Sequence, residues 1–184
     1  MVDVGDKPST KRRATASGRI FIPQVAYNLV TSSYPLEHDV VLAPTGAVKS
    51  AISKSQRKGD ALTIAQLAAI MGAKQTSNLI PLCHPIPLSN IDVKLVPVAQ
   101  PILRRNTSFP ENSDLKKVYS IKCIATVTCE GKTGVEMEAL TAVTVGLLTV
   151  WDMLKAVAGR EMEIGEIMVV HKTGGQSGEF ERQI

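Results

Sequence analysis

The chain has 184 residues, of which 44% are hydrophobic and 21% are charged, so it is long and apolar enough to form one domain. Its formal net charge of +4 favours anionic ligands but is too small and too dispersed to indicate nucleic-acid binding. No uninterrupted apolar run reaches the ~18 residues of a membrane span. The three cysteines form no close pairs, which indicates a reducing intracellular compartment and a soluble protein.

Apolar spacing predicts the elements of the first third of the chain. Residues 1–11 are polar and are expected to be mobile, and the alternation over 12–22 predicts a strand. Pro23 suits the first position of a helix, which predicts a short helix over 23–33. Residues 31–57 mix Pro, Gly and Ser with apolar pairs, and we interpret them as a long connection.

A second helix is predicted after Asp60, because aspartate is a preferred N-cap residue. Its apolar positions recur at helical spacing and include Leu62, Ala65, Ala69 and Gly72. The many alanines indicate close packing against neighbouring elements. The helix is expected to end near Gly72 or to continue to Ser77.

The remainder of the chain predicts two strands, a long helix and a last strand, over 89–98, 118–130, 135–158 and 163–173. Residues 99–116 are expected to form a second long connection, and 179–184 a mobile tail. Gly159 is expected at the C′ position of the long helix. Strands and helices mingle without β-α-β regularity, which predicts the α+β class with an antiparallel sheet.

Cys83 and His84 lie side by side between Pro81 and Pro85. Adjacent residues of an extended segment point apart, so they are not expected to form a thiolate–imidazolium pair within one chain. A zinc ion would need further ligands, which the sequence does not offer nearby. His84 is therefore either a proton carrier or phosphate donor, or a turn histidine held by the prolines.

Acidic and basic residues are also close in sequence at two other positions. Lys58 precedes Gly59 and Asp60 at a helix N-terminus, where it either helps to hold a phosphate or is an ordinary solvated lysine. Asp152 and Lys155 lie three residues apart in the long helix. They form either a proton-transferring pair or an i,i+3 surface ion pair near the helix end.

The long helix and the C-terminal segment add further candidates. Glu138 lies on the same helix face as Asp152, and Glu136 is in the first turn, where an acid complements the helix dipole. The glycine-rich segment 172–178 superficially resembles a phosphate loop but lacks the GK[ST] ending. Its backbone amides either meet a phosphate or belong to a disordered tail.

Taken together, six segments resemble the MoaC family: MVDVGDKP at 1–8, KGD at 58–60, LIPLCHP at 79–85, TGVEMEALT at 133–141, DMLKAV at 152–157 and KTGG at 172–175. The resemblance implies catalytic roles for Asp152, Lys155 and Lys58. It also implies a set of substrate-binding residues, namely Leu82, Cys83, His84, Glu136, Met137, Glu138, Arg12, Lys74 and Lys172. Neither a metal nor an organic cofactor is expected.

The family resemblance also implies a ferredoxin-like α+β subunit, built as a homohexamer (a trimer of dimers) with active sites at dimer interfaces. The implied activity is that of a lyase, cyclic pyranopterin monophosphate synthase, in molybdenum cofactor (molybdopterin) biosynthesis. Its substrate, 3′,8-cyclo-7,8-dihydro-GTP, comes from a radical SAM GTP cyclase, and pyrophosphate is released.

An alternative is a non-catalytic hexameric scaffold that binds the pterin precursor or the radical SAM partner. A generic nucleotide-binding module is a further alternative. The compartment stays open between the cytoplasm and the mitochondrial matrix.

Overall fold

The structure is a computed structural model that describes residues 1–32, 50, 53, 57–101, 117–175 and 178–182. The elements that these residues form are, in chain order, β1 (Thr10–Ile22), α1 (Gln24–Ser32), α2 (Ala61–Lys74), α3 (Thr76–Leu79), β2 (Leu88–Pro101), β3 (Lys117–Gly131), α4 (Glu136–Ala158), β4 (Glu163–Thr173) and β5 (Phe180–Glu181).

The strands form one antiparallel sheet in the order β2-β3-β1-β4-β5. Strand β1 pairs with β3 along its whole length and with β4 on its other side. Helix α2 joins β1 to β2, and α4 joins β3 to β4, so two β-α-β units interleave. This is the ferredoxin-like arrangement. The predicted α+β fold with an antiparallel sheet is confirmed.

The core lies between the sheet and the helices α2 and α4. Strand β3 shows the pattern best, because every second residue is at most 1% exposed: Ile121, Cys123, Ala125, Val127 and Cys129. Strictly alternating burial is what a strand shows when helices cover only one face of its sheet. The two cysteines of β3 are therefore free thiols in the core.

Helices α2 and α4 approach each other closely because small residues line their contact. Ala65 and Ala69 of α2 are fully buried. A Cβ atom on Gly72 would lie 2.9 Å from the Cβ of Val145, which leaves no room for a larger side chain. The predicted N-cap is confirmed, since the Asp60 carboxylate accepts a hydrogen bond of 2.6 Å from the Thr63 N–H.

Helix α4 is the central helix of the fold. Eleven of its 23 residues are buried, and its buried face packs on α2 and the sheet. Among the helices described, it is the one with the length and apolar composition that a membrane crossing requires. Core helices of the same length pass that test as well, and the buried face of α4 is already covered by protein.

Several predicted boundaries need correction. Residues 31 and 32 belong to α1 and not to the long connection, in agreement with the helix predicted over 23–33. Residues 99–101 belong to β2, and 10–11 belong to β1. The segment expected to be a mobile tail contributes the short strand β5, which pairs with β4, so the strand over 163–173 is not the last one. Gly159 caps α4 with φ −56°, a right-handed conformation rather than the left-handed one typical of a C′ glycine.

Other predicted boundaries agree with the structure. Helix α2 ends at Lys74, and the separate short helix α3 follows it. The remainder of the two long connections, apart from positions 50, 53 and 57, lies outside the described residues.

Two neighbouring leucines of α4 provide a matched test of this packing. Leu147 is fully buried, whereas Leu148 is 55% exposed. We expect Leu147→Ala to lower the free energy of unfolding by about 3 kcal/mol, because it leaves a cavity in the core. Leu148→Ala should cost less than about 1 kcal/mol. Urea denaturation followed by circular dichroism measures both, and equal losses would contradict the described burial.

Candidate functional site

Asp152 lies between two lysine ammonium groups near the C-terminal end of α4. Lys155 Nζ lies 2.6 Å from Asp152 Oδ1, and Lys58 Nζ lies 2.8 Å from Asp152 Oδ2. Lys58 also donates a hydrogen bond of 2.7 Å to the Asp152 carbonyl oxygen. The three residues that the family resemblance named as catalytic are thus in direct contact, although Lys58 is 94 positions from Asp152 in the chain.

The electrostatics of this cluster keep the carboxylate ionised. Hydrogen bonds from Lys155 and then Lys58 lower the pKa of Asp152 to about 2. The side chains are well exposed, so the ion pairs add little to the stability of the fold. A carboxylate that stays ionised between two ammonium groups instead fixes the positions of two proton donors.

A second group of charged residues lies at the opposite end of α4. Lys172 Nζ, at the end of β4, lies 3.2 Å from Glu136 Oε1, in the first turn of α4. Arg12 of β1 is 5% exposed and donates hydrogen bonds of 3.2 and 3.5 Å to the carbonyl oxygens of Gly131 and Lys132. All three side chains line one pocket of about 230 Å³.

Three of the residues lining that pocket were not singled out by the sequence. They are Lys7, Arg13 and Lys132, which are all exposed. We call the five basic residues that line this pocket the cation pocket: Lys7, Arg12, Arg13, Lys132 and Lys172. No sequence pattern marked these three residues as neighbours, because Lys7 lies in a turn, Arg13 on the exposed side of β1 and Lys132 in a loop.

Glu138 is the least satisfied polar side chain of this region. It is 4% exposed, and its Oε2 atom has no hydrogen-bond partner among the described residues. Burial, and to a lesser extent the charge of Glu136, raise the pKa of Glu138, while its own backbone hydrogen bond acts in the opposite direction. A buried acid without a partner costs stability, which is typical of functional sites.

The Cys83–His84 segment follows α3 and is tied to it by a hydrogen bond from the Cys83 N–H to the Ile80 carbonyl. Burial, and then the charge of Glu138, raise the pKa of the Cys83 thiol. A raised pKa favours the thiol over the reactive thiolate, in line with the expectation that Cys83 forms no thiolate–imidazolium pair with His84. Cys83 and His84 are half-buried, whereas the neighbouring Leu82 is exposed.

The remaining predicted residues lie near the N-terminal end of α4. Met137 is in its first turn and partly exposed. Lys74 is the last residue of α2, and it lines a separate pocket with Ile86, Leu88 and their neighbours. Gly72 of α2 packs on Val145 of α4 in an antiparallel sense, which brings the end of α2 toward the start of α4.

The predicted site residues therefore fall into two groups within one chain. We call Lys58, Asp152 and Lys155 the Asp152 cluster. Glu138 and Asp152 are fourteen positions apart on α4, a rise of about 21 Å. One reacting atom cannot touch both ends of such a span. No group of three or more His, Cys, Asp or Glu side chains suited to a metal occurs in the part of the chain that the structure describes.

Comparison with known proteins explains why these residues occur together. The sequence matches the MoaC family over residues 1–175. The chain belongs to the MoaC family.

A relative from Campylobacter jejuni subsp. jejuni serotype O:23/36 (strain 81-176) is 40% identical over 182 residues, covering 99% of this chain and 91% of the relative. One from Campylobacter lari (strain RM2100 / D67 / ATCC BAA-1060) is 41% identical over the same shares. One from Helicobacter pylori (strain HPAG1) is 39% identical over 180 residues, covering 98% and 89%. Each of these relatives carries the name cyclic pyranopterin monophosphate synthase. The predicted membership of the MoaC family is confirmed.

The unpartnered Glu138 leads to a pH-dependent prediction. Its pKa in the folded protein lies above the ordinary value of 4.5, so its ionisation destabilises the fold as the pH rises through and beyond that value. We expect Glu138→Gln to raise the free energy of unfolding at pH 7.5 by about 1 kcal/mol. The gain should disappear below the ordinary pKa, where the wild-type carboxyl is protonated in both states.

Thermal unfolding across the pH range measures this effect. Glu161→Gln is a suitable control, because Glu161 is exposed. A Glu138→Gln variant that is less stable than wild type at pH 7.5 would show that the carboxylate has a stabilising partner.

Proposed function

We propose that this chain is a cyclic pyranopterin monophosphate synthase in molybdenum cofactor biosynthesis. The substrate is a pterin precursor, 3′,8-cyclo-7,8-dihydro-GTP, and the products are cyclic pyranopterin monophosphate and pyrophosphate. Membership of the MoaC family and the names of the relatives support the activity. The single structural observation that carries the proposal is the direct contact of Asp152 with Lys58 and Lys155.

The Asp152 cluster supplies proton transfer in this proposal. Rearranging the purine-derived ring into a pterin requires protons to be removed and returned at several atoms. Lys155 and Lys58 donate protons from their ammonium groups, and the ionised Asp152 carboxylate holds both groups in place. Catalysis by positioned acids and bases of this kind typically contributes about 10²–10⁴-fold.

The second chemical task is to form the cyclic phosphate. A substrate hydroxyl oxygen bonds to the α-phosphorus, and the bond from that phosphorus to the bridging oxygen breaks. Pyrophosphate leaves with the bonding electron pair, and the hydroxyl proton passes to a base. Fixed cations stabilise the charge that develops on the leaving group.

The opposite end of α4 binds the substrate in this proposal. Arg12, Lys74, His84 and Lys172 meet its phosphates. Leu82, Cys83, Met137 and Glu138 meet its ring system, whereas Glu136 lies beside the phosphates, next to its ion-pair partner Lys172. The unpartnered Glu138 Oε2 supports this assignment, because a ring N–H would give it the hydrogen bond that it lacks.

We further propose that two copies of the chain complete each active site. The separation of about 21 Å between Glu138 and Asp152 supports this, since a neighbouring copy can place its Asp152 cluster beside the binding residues of the first. Leu67 and Met71 of α2 are each more than half exposed, as residues at a subunit contact would be in an isolated chain. A homohexamer built as a trimer of dimers provides such contacts.

The chain is proposed to act as a single intracellular domain, in the cytoplasm or the mitochondrial matrix, downstream of a radical SAM GTP cyclase. A purely binding scaffold and a generic nucleotide-binding module are the competing functions. Both would bind the precursor without forming the pterin product, so turnover separates them from the synthase.

Turnover of the purified protein tests the proposed activity. Wild type should convert the cyclo-dihydro-GTP precursor to the pterin product and pyrophosphate. Lys58→Ala and Asp152→Ala should each lower kcat by at least about 10²-fold, because each breaks the Asp152 cluster. Asp92→Ala and Lys94→Ala provide matched controls, since that exposed acid–base pair of β2 lies outside the site. Binding of the precursor by wild type without product would refute the synthase and support the scaffold.

Mixing two inactive variants tests whether copies share active sites. Lys58→Ala and Glu138→Gln damage opposite ends of the chain, and each should be inactive alone. If a site combines both ends from different copies, random re-assortment of unfolded and refolded mixtures should restore about a quarter of the wild-type activity in dimers. No recovery, in assemblies shown by mass spectrometry to be mixed, would mean that each copy works alone.

A further inference from the structure

The two lysines of the Asp152 cluster reach their carboxylate by different routes. Lys155 follows Asp152 by three residues on α4, so the helix itself brings the two side chains together. Lys58 lies outside the helices and strands of the described residues, in the turn that precedes α2. Its ammonium group nevertheless contacts both the carboxylate and the carbonyl oxygen of Asp152, at 2.8 and 2.7 Å. The position of Lys58 therefore depends on the local geometry of that turn.

Gly59 gives the turn a backbone conformation that residues with a side chain rarely adopt. Its φ angle is +92°, in the region where a Cβ atom causes steric strain. A Cβ atom on Gly59 would also lie 3.2 Å from Cδ1 of Ile64, in the first turn of α2. The direction in which the chain leaves Lys58 thus requires a glycine at the next position.

Asp60 attaches the other side of the turn to α2. Its carboxylate accepts a hydrogen bond of 2.6 Å from the Thr63 N–H, and its carbonyl oxygen accepts one of 3.0 Å from the Ile64 N–H. The side-chain bond satisfies a donor of the first helical turn that has no partner within the helix. Because α2 packs on α4, the chain two residues after Lys58 is held in place relative to Asp152.

The carboxylate of Asp60 does not itself join the Asp152 cluster. Among the ion pairs of the described residues, none includes Asp60. Its described side-chain hydrogen bond goes to the backbone of α2. Any effect of Asp60 on the cluster is therefore exerted through the backbone of Lys58.

We propose that Gly59 and Asp60 are positioning residues of the synthase reaction: the positive φ of the glycine and the helix cap together place the Lys58 ammonium against Asp152. The proposal rests on the proposed function for the reaction that this geometry serves. It makes the segment 58–60 one functional unit, in which one side chain transfers protons and the next two residues hold it in position. The competing roles for Asp60 are helix stability alone and direct catalysis by its carboxylate.

A matched pair of substitutions separates these roles by turnover. Asparagine is as good an N-cap residue as aspartate and alanine is a poor one, although both substitutions remove the same charge. Asp60→Ala should lower kcat by at least about tenfold, because small displacements of a catalytic group are costly. Asp60→Asn should stay within about twofold of wild type. Gly59→Ala should lower kcat as Asp60→Ala does, since it strains the same turn.

Chemical labelling of lysines tests the position of Lys58 without any substrate. Acetylating reagents attack the neutral amine, whereas the ion pair with Asp152 favours the ammonium form. Mass spectrometry should therefore find Lys58 acetylated at least about threefold faster in Asp60→Ala and Gly59→Ala than in wild type. Exposed Lys94 of β2 serves as the internal reference in each sample. Asp60→Asn should label Lys58 at the wild-type rate.

A substitution in the core controls for a general loss of stability. Ile121→Val shortens a fully buried side chain of β3, a strand that carries no residue of the Asp152 cluster. It should lower the thermal unfolding temperature, but kcat and Lys58 labelling should stay within about twofold of wild type. Lys155 should also keep its labelling rate in the Asp60 variants, because α4 alone places it beside Asp152.

Four results would overturn the proposal. They are wild-type kcat in Asp60→Ala, unchanged labelling of Lys58 in that variant, a loss of kcat in Ile121→Val as large as in Asp60→Ala, and an equal loss in Asp60→Asn. The third result would leave Asp60 with helix stability alone, and the fourth would make its carboxylate catalytic.

These results can be told apart from a failure of the proposed function. If wild type turns over the precursor but Asp60→Ala changes neither kcat nor Lys58 labelling, the positioning role alone is wrong. If labelling follows the expected pattern but wild type forms no pterin product, the synthase assignment is wrong and the placement of Lys58 by Gly59 and Asp60 stands.

Discussion

The packing of α4 against α2 and the sheet is the constraint on which the other features of this molecule depend. Small residues let the two helices approach, and a Cβ atom at Gly72 would already crowd Val145. The buried face of α4 cannot rotate or slide without losing core contacts, because packed interiors tolerate little change of volume. Since each group of candidate site residues includes side chains from one end of α4, the separation of the two groups is fixed as well.

The two ends of α4 treat acidic side chains in opposite ways. Asp152 is exposed and satisfied by two lysines, so the pKa of its carboxyl falls to about 2. Glu138 is buried, which raises the pKa of its carboxyl, and its Oε2 has no partner in the described part of the chain. Two acids held in contrasting environments on one helix can serve different chemical roles at one pH. Asp152 stays ionised and holds the ammonium groups of Lys58 and Lys155 in place, whereas Glu138 can accept a hydrogen bond from a bound molecule.

Most of the fold could be predicted from the sequence because its elements have regular apolar periods. The alternation in β3 and the helical spacing after Asp60 correspond directly to buried positions in the structure. The short strand at the edge of the sheet could not be predicted, since the pairing of Phe180 with Lys172 depends on a neighbouring strand and not on the local sequence pattern. Gly159 shows the same limit, because a glycine after a helix permits a left-handed cap without requiring it.

The candidate site, too, could be predicted from the sequence only in part. The contact of Asp152 with Lys155 follows from i,i+3 spacing on a helix, so the sequence alone predicted it as one of two alternatives. The contact of Lys58 with Asp152, 94 positions away in the chain, could be predicted only from the family resemblance or from the fold. The cation pocket could not be predicted, because its residues come from four segments whose meeting is set by strand register. Net charge counts these residues but does not locate them.

The distance along α4 also bears on how the proposed reaction would be organised. Polyphosphate binding requires a dense positive field, but such a field disfavours the protonated, cationic form of any lysine placed within it. Separating the cation pocket from the Asp152 cluster by most of a rigid helix keeps that field away from Lys58 and Lys155 within one chain. Each lysine is instead balanced by the carboxylate of Asp152. Joining the two ends across a contact between copies would then bring proton donors to a substrate whose own phosphates have already neutralised the pocket.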